Sequence, residues 1–238
     1  MRSIWRRSRD GFSRMRSPCA SRLRCTSSSG ERMPKASDND SRFLLLGEAL
    51  ASHAAEAAHR DDRLAVEGDS AQAAVAVILR ATPGLEVLLI KRAHSERDPW
   101  SGHMALPGGR RDDQDTALLA TAIRETIEEV GLDLERETRF LGRLGELGPA
   151  SHRLPRLMVT PFVFGIAGEA EAFVASPEVA EVFWIQLGEL RSPQVHSKVQ
   201  IPLPEGLREF PCYRVAGEVV WGLTFRILEQ FLEIHSAL

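Results

Sequence analysis

Three glutamates occur within five residues in the stretch RETIEEVGL, and their spacing predicts that they converge on one side of a helix. Glu125 precedes Glu128 by three residues and Glu129 by four, and residues at these separations share a helix face. Like charges at this spacing repel each other, so a bound cation would offset the cost of keeping them. Mg²⁺ prefers carboxylate oxygens and completes its coordination with waters or substrate phosphates. The cluster therefore indicates a metal site for phosphate-ester chemistry, with a solvated acidic helix face as the alternative.

Two features flank the glutamates and strengthen the metal hypothesis. Arg124 adjoins the cluster, where a guanidinium can neutralise or orient one carboxylate. The Pro107-Gly108-Gly109 sequence predicts a turn before the helix, and glycine allows the backbone of such a turn to approach a ligand closely. A backbone carbonyl from this turn is a candidate oxygen ligand beside the carboxylates.

These residues resemble the Nudix box, which reads glycine, five residues, glutamate, seven residues, then Arg-Glu-hydrophobic-any-Glu-Glu-any-Gly-hydrophobic. The second half of the motif matches at Arg124, Glu125, Glu128, Glu129, Gly131 and Leu132. Thr126 occupies a position that is usually apolar. In the first half, the expected glutamate and glycine fall on Thr116 and Arg110. Gly109 and Asp115 fit instead if one residue is inserted between Asp115 and Arg124, so that the helix starts one residue late or bulges.

The resemblance implies a Nudix fold and Mg²⁺- or Mn²⁺-dependent cleavage of a diphosphate linked to another moiety. By carry-over of the motif, Glu125 and Glu129 are the metal ligands, with Glu128 as a third and the Gly109 carbonyl as a backbone ligand. The proton of the attacking water passes to a carboxylate. The candidates are Glu125, Glu128 and Glu178, since the family often supplies a further carboxylate from a late loop.

Three residues of the motif, Gly108, Arg124 and Gly131, are assigned structural roles. For Glu178 the alternative is a helix-start residue in the sequence SPE, which the helix dipole would favour.

The segment LLIKRAHSERDPWSGHMALPGG resembles the region before the box in coenzyme A pyrophosphatases. The agreements are Leu88, Leu89, Arg92, Arg97, Gly102, Ala105 and the Pro-Gly-Gly sequence. Ile90, His103 and Leu106 depart from the pattern, and one residue is inserted before Gly102. The segment VVWGLTFRILEQFL resembles that subgroup's terminal helix, so the similarity extends from Ala71 to Leu232.

A coenzyme A site needs cations for the 3′-phosphate and the diphosphate, and Lys91, Arg92 and Arg97 offer them. The alternative for Lys91 and Arg92 is the exposed end of a strand. His103 is a candidate phosphate-binding residue or a structural histidine. Trp100 is a candidate for stacking on adenine, or packs under its own loop.

Three functional hypotheses follow. The first is hydrolysis of coenzyme A or acyl-coenzyme A to 3′,5′-ADP and a phosphopantetheine product. The second is hydrolysis of another nucleoside diphosphate linked to X, such as ADP-ribose or a nucleotide sugar. The third is a catalytically silent Nudix-fold binding module, against which the retention of Glu125, Glu128 and Glu129 argues.

The elements that must position these residues form a mixed pattern without regular βαβ alternation. Ala71 to Arg80 and Leu85 to Ala93 predict a strand hairpin, MAL predicts a short strand, and Thr116 to Val130 predicts the acidic helix, which Gly131 ends. Further strands are predicted in TRFLGRLGEL and RLMVTPFVFGIAG, a strand pair in KVQIPLP and REFPCYRV, and a strand with a short helix in VAEVFWIQLGEL. Helices are predicted over Arg42 to Arg60 and Val219 to His235. The fold class expected is α+β, an α/β/α sandwich with helices on both faces of a mixed sheet.

Composition restricts the remaining possibilities. A net charge of −3 over 238 residues gives no reason to expect a nucleic-acid or membrane partner. The expected partner is a small-molecule nucleoside diphosphate derivative, with a homodimer left open. Scattered Cys19, Cys25 and Cys212 fit a reducing compartment, and a cytoplasmic location is expected.

Residues 1–41 are rich in arginine and serine and poor in aliphatic and acidic residues. They are interpreted as a disordered basic tail or a mis-assigned start before Met33. An organelle transit peptide is the alternative, which would change the location. Residues 42–238 are then one Nudix hydrolase domain with an N-terminal helix.

Overall fold

A computed structural model of the chain describes residues 40–61, 71–95, 101–148, 157–166, 170–203 and 206–238. All of them belong to one structural unit, Lys35–Leu238. The predictions for the basic tail, for Met33 and for Arg97 and Trp100 lie outside the described residues.

The helices are α1 (Ser41–Asp61), α2 (Leu118–Val130), α3 (Leu134–Glu137), α4 (Leu187–Leu190) and α5 (Gly222–Ser236). The strands are β1 (Ala71–Ala81), β2 (Leu85–Arg92), β3 (Met104–Ala105), β4 (Gly108–Arg110), β5 (Thr138–Arg143), β6 (Leu157–Ile166), β7 (Val179–Gln186), β8 (His196–Leu203), β9 (Gly206–Val215) and β10 (Glu218–Trp221).

The main sheet is mixed and is organised around β1. Its order is β3-β2-β1-β6-β5, with β4 also paired to β1 and β7 to β2. The β1–β2 hairpin is antiparallel, as predicted, whereas β1 and β6 run parallel. Because β1 is long, one part of it pairs with β2 and another part with the short strand β4, which brings the glycine sequence onto the sheet.

Side chains that alternate along the strands build a core on each face of the main sheet. Val77 and Leu79 of β1 pack in a cluster with apolar residues of α1 and α5. Ala76 and Ile78 of the same strand pack in a second cluster with Ala122 and Val130 of α2. Since successive strand residues point to opposite faces, helices cover both faces, and the predicted α/β/α sandwich is confirmed.

The second sheet has the order β10-β9-β8 and changes one sequence expectation. The pairing of β8 with β9 is confirmed as an antiparallel hairpin. The closing helix, however, begins at Gly222 and not at Val219, because Val219 to Trp221 pair with β9 as β10. The β-branched Val219 and Val220 favour this strand, and Gly222 has a φ of 68° that marks the change of direction.

Two other short elements were not expected from the sequence. Gly108–Arg110 forms β4 where a turn was predicted, and Leu134–Glu137 forms α3. The side chain of Asp133 caps α3 by accepting hydrogen bonds from the backbone N–H groups of Glu135 and Arg136. Within the described ranges, we find no helix with the length and apolar character that crossing a membrane requires.

We expect α1 to be held on the sheet by its buried side, and two neighbouring leucines test this. Leu46 is fully buried in the cluster shared with α5, whereas Leu45 is 51% exposed. Leu46→Ala is expected to lower the free energy of unfolding by about 2–5 kcal/mol, because it leaves a cavity. Leu45→Ala should change it by less than about 0.5 kcal/mol. Urea denaturation measures both, and equal effects would show that α1 does not dock through this face.

Candidate active site

The acidic helix α2 places one of its glutamates on the face that packs against the sheet. Its buried residues are Thr121, Ala122, Thr126, Glu129 and Val130. Thr126, the departure from the motif, is satisfied because its hydroxyl donates to the carbonyl of Ala122 at 2.7 Å. The helix ends as predicted at Gly131, which has a φ of 68° and donates its N–H to the Ile127 carbonyl.

Glu129 is the buried member of the carboxylate cluster, with only 5% of its surface exposed. Its Oε2 accepts a hydrogen bond of 2.9 Å from the backbone N–H of Gly108 in β4. Burial raises the pKa of Glu129 to about 7, an effect that the Gly108 N–H and the charge of Arg92 oppose. A carboxylate held out of water in this way is costly when ionised, so a cation beside it would be stabilising.

Glu125 lies against the same glycine strand, one turn earlier on the helix. A Cβ atom on Gly109 would lie 2.5 Å from the Cδ of Glu125, so a larger residue would displace this carboxylate from its position. Burial raises the pKa of Glu125, while Arg124, which donates to Oε1 at 2.8 Å, opposes the rise. The two glycines thus allow the backbone of β4 to approach both carboxylates closely. They do so within a strand and not within a turn.

Arg124 connects the helix to the loop that precedes it. Its guanidinium donates to both carboxylate oxygens of Asp115, at 3.1 Å and 3.0 Å, and to the carbonyl of Arg110. Asp115 also accepts from the hydroxyl of Thr121 and the N–H of Asp112. Arg124, followed by the Asp112 N–H, holds the pKa of Asp115 well below its usual range.

This arrangement explains why the helix starts late. Leu118 is the first helical residue, two residues after the predicted start at Thr116. Asp115 lies outside the helix, and its carboxylate accepts a hydrogen bond from Arg124. The inserted residue is therefore accommodated before the helix, and α2 itself keeps its regular hydrogen bonding.

Two further carboxylates approach the pair formed by Glu125 and Glu129. Glu128 is 58% exposed and lies 3.5 Å from the Arg124 guanidinium. Glu178 lies in the turn before β7, and its charge contributes to the raised pKa values of both Glu125 and Glu129. The helix-start alternative for Glu178 is wrong, because a strand follows it and not a helix.

The predicted cations separate to different surroundings. Arg92 lies near the cluster, since its charge lowers the pKa of Glu129. Lys91 forms an ion pair of 2.5 Å with Glu218 of β10, and the ring of His103 packs edge-on against Trp221 at 5.2 Å. The alternation of β2 explains the division, because Lys91 shares a face with Leu89, which packs in the α1–α5 cluster.

Sequence reasoning missed Glu218 and Trp221 as neighbours of Lys91 and His103. They are more than a hundred residues further along the chain and carry no local motif, so only tertiary structure identifies them.

The donor chemistry of the cluster fits a hard divalent cation. Glu129 is buried and accepts a hydrogen bond from the Gly108 N–H, and the Gly109 backbone lies against the Glu125 carboxylate. Both offer the oxygen ligands that Mg²⁺ and Mn²⁺ use. Among the described residues, no three His, Cys, Asp or Glu side chains already surround a common point, so the residues supply the donors without a closed cage.

The chain is similar in sequence to known proteins. The NUDIX domain family model matches residues 70–204. The Nudix hydrolase NudL of Photorhabdus laumondii, which is uncharacterized, is 30% identical over 162 residues, covering 68% of this chain and 83% of the relative. An uncharacterized protein of Schizosaccharomyces pombe is 39% identical over 126 residues, covering 52% of this chain but only 38% of that longer relative.

Among solved structures, a MutT/nudix family protein from Enterococcus faecalis has a TM-score of 0.49 and 18% identity. The match covers 89% of this chain and 76% of that chain.

The contribution of Asp115 to stability is expected to depend on pH. Asp115→Asn should lower the free energy of unfolding at pH 7 by about 1–2 kcal/mol, because the charge-assisted hydrogen bonds are lost. Since the folded pKa is lowered, the wild-type advantage is present above the ordinary value of 3.8 and is lost as pH falls below it. Urea denaturation from pH 7 to pH 3 measures this. The exposed Asp113→Asn is the control, and a difference that persists unchanged at pH 3 would contradict the ion pair.

Proposed function

The chain belongs to the Nudix family of hydrolases, and we propose that it cleaves the diphosphate of coenzyme A or an acyl-coenzyme A. The products are 3′,5′-ADP and phosphopantetheine or its acyl derivative. The observation that carries the proposal is the placement of two carboxylates against the glycine strand β4, the buried Glu129 at Gly108 and Glu125 at Gly109. The charge of Glu178, from a distant part of the chain, contributes to the raised pKa values of both carboxylates.

Each residue has a distinct part in the proposed mechanism. Glu125 and Glu129 would hold the cation, with Glu128 and the Gly109 carbonyl as further oxygen donors. When bound, Mg²⁺ or Mn²⁺ supplies Lewis-acid polarisation of a phosphoryl oxygen and neutralises developing charge.

In this proposal the remaining carboxylate, Glu178, accepts the proton of the attacking water. The water oxygen forms a bond to phosphorus as the bridging P–O bond breaks, and the leaving phosphate departs with the electron pair. Glu128 is the alternative base, since it is the most exposed of the three helix glutamates.

Support for coenzyme A comes from the sequence around Arg92 and from the chain's terminal helix, which resemble the coenzyme A pyrophosphatases. Arg92 lies where its charge reaches Glu129, as a residue that binds the diphosphate would. One observation favours the second hypothesis, ADP-ribose or a nucleotide sugar. Lys91 is already paired with Glu218, which leaves less positive charge for a 3′-phosphate.

A substrate panel separates these hypotheses. The full chain is incubated with Mg²⁺ or Mn²⁺ and, in turn, coenzyme A, acetyl-coenzyme A, ADP-ribose, NADH and a nucleotide sugar. Chromatography identifies the products. Selective release of 3′,5′-ADP supports coenzyme A, whereas turnover of ADP-ribose or the sugar nucleotide alone refutes it. No turnover in any reaction would favour the silent binding module.

Glu129→Gln separates catalysis from folding. The amide oxygen still accepts from Gly108, but the anionic ligand is lost, so hydrolysis is expected to fall by at least about 100-fold. In the metal-free wild type the raised pKa of Glu129 implies stability that is complete below about 4.5 and is lost as pH rises through about 7. Melting temperatures from pH 4 to pH 8 should show this loss in the wild type and a flatter profile in Glu129→Gln. The exposed Glu128→Gln is the control and should follow the wild-type profile; a wild-type profile that matches Glu129→Gln would contradict burial of the charge.

Changing the two glycines of β4 to alanine is expected to have different effects, a loss of activity at Gly109 and a loss of stability at Gly108. In Gly109→Ala the new Cβ meets the flexible end of Glu125, so the fold survives while activity falls roughly 10- to 100-fold. In Gly108→Ala the new Cβ lies 2.6 Å from the Cα of Val75, at a φ of 145°. That variant should lose about 2 kcal/mol or more of stability. Thermal melts and initial rates distinguish the two, and full activity in Gly109→Ala would contradict the role of Glu125.

A further inference from the structure

The segment 170–178 carries Glu178 to the carboxylate cluster without any regular secondary structure of its own. The segment leads directly into β7 and passes over the C-terminal end of α2. A long irregular segment orders a catalytic group only if specific contacts restrict it, because each free residue costs conformational entropy. The contacts of this segment therefore decide where Glu178 lies.

Two backbone hydrogen bonds attach the segment to α2. The N–H of Phe173 donates to the carbonyl of Val130 at 3.0 Å, and the N–H of Ala175 donates to the carbonyl of Glu129 at 3.1 Å. These carbonyls belong to the last turn of the helix, where intrahelical donors run out. The segment is thus bonded to the backbone of the same residue that provides the buried carboxylate.

The ring of Phe173 makes a contact with the helix end that the core does not explain. The side chain is 58% exposed, yet its edge lies directly against Gly131. A Cβ on Gly131 would lie 2.6 Å from Cε1 of the ring and closer still to Cζ. Gly131 therefore has two requirements, the left-handed backbone of the helix cap and the close approach of this ring.

The other end of the segment is fixed near Glu178 itself. The N–H of Glu178 donates to Oγ of Ser176, and the carbonyl of Glu178 accepts from the N–H of Ala93 at 2.7 Å. Ala93 follows Arg92 at the end of β2. Glu178 is consequently held between the end of α2 and the end of β2, the two elements that carry the cluster and its nearby arginine.

We propose that Phe173 is a positioning residue, whose ring on Gly131 holds segment 170–178 so that the Glu178 carboxylate faces Glu125 and Glu129. The proposal rests on the proposed hydrolysis, in which Glu178 accepts the proton of water. In this proposal Phe173 touches neither the carboxylates nor the substrate. Its effect should therefore appear in kcat and depend on the presence of Glu178.

The kinetic test is a double-mutant cycle. Phe173→Ala is expected to lower kcat roughly 10- to 100-fold with little change in KM, and Phe173→Tyr, which keeps the ring, should restore most of the activity. In a Glu178→Gln background the same Phe173→Ala change should add less than about a twofold further loss. Val174→Ala is the matched control, since Val174 is the next residue and is 47% exposed. An equal loss in both backgrounds, or an equal loss in Val174→Ala, would overturn the proposal.

Amide hydrogen exchange on the metal-free protein gives a readout that does not depend on activity. The amides of Phe173 and Ala175 should exchange at least about tenfold faster in Phe173→Ala, because the segment opens locally. The amides of α2 should keep their protection, and Val174→Ala should leave both sites unchanged. If no substrate is hydrolysed by the wild type, the proposed function fails while this measurement still decides whether the ring holds the segment. Unchanged exchange in Phe173→Ala would overturn the proposal in either case.

Discussion

The hydrogen bond from the Gly108 N–H to the carboxylate of Glu129 connects the two halves of the site. It joins β4, which is paired to the central strand, to the packing face of α2. The bond can form because Glu129 lies on the buried face of the helix, together with Thr121, Ala122 and Val130. Burying that carboxylate is costly without a compensating charge, and this cost makes the location suitable for a cation. A helix with the same charges on its solvent side would have no such property.

The surrounding residues follow from the need to bring a backbone close to that carboxylate. Gly108 approaches β1 and Gly109 approaches Glu125 at distances that a side chain would prevent. Arg124 donates a hydrogen bond to Glu125 and another to Asp115. Contacts within the protein therefore fix the orientation of these side chains. Arg124 neutralises part of the cluster from outside, whereas the buried Glu129 has the Gly108 N–H and the charge of Arg92 near it.

The rest of the site reaches the helix from distant parts of the sequence. Glu178 arrives on a segment bonded to the carbonyls of Glu129 and Val130, and Arg92 arrives at the end of the central hairpin. Lys91 is diverted to Glu218 because neighbouring strand residues point to opposite faces of the sheet. The region near His103 and Trp221 therefore differs from the carboxylate cluster, because it contains an aromatic ring contact and the cluster contains acidic side chains.

The sequence by itself determined the features that depend on short-range order. Periodicity identified α1, the β1–β2 hairpin, the β8–β9 pair and the acidic helix with its end at Gly131, because each depends on the spacing of apolar residues or on one glycine. It also predicted Glu125, Glu128 and Glu129 as candidate metal ligands, since their spacing is a property of the helix alone. The sequence prediction was wrong at two places where strand pairing overrides local propensity. Val219 to Trp221 were expected in a helix but pair with β9, and the glycine pair was expected in a turn but pairs with β1.

Only the tertiary structure decided which glutamate is buried, because Glu128 and Glu129 are adjacent residues of the same type and differ in what packs against them. Only the tertiary structure placed Asp115 on Arg124, Glu178 near the cluster and Phe173 on Gly131, since these contacts join residues whose approach is set by the packing of helices on a common sheet.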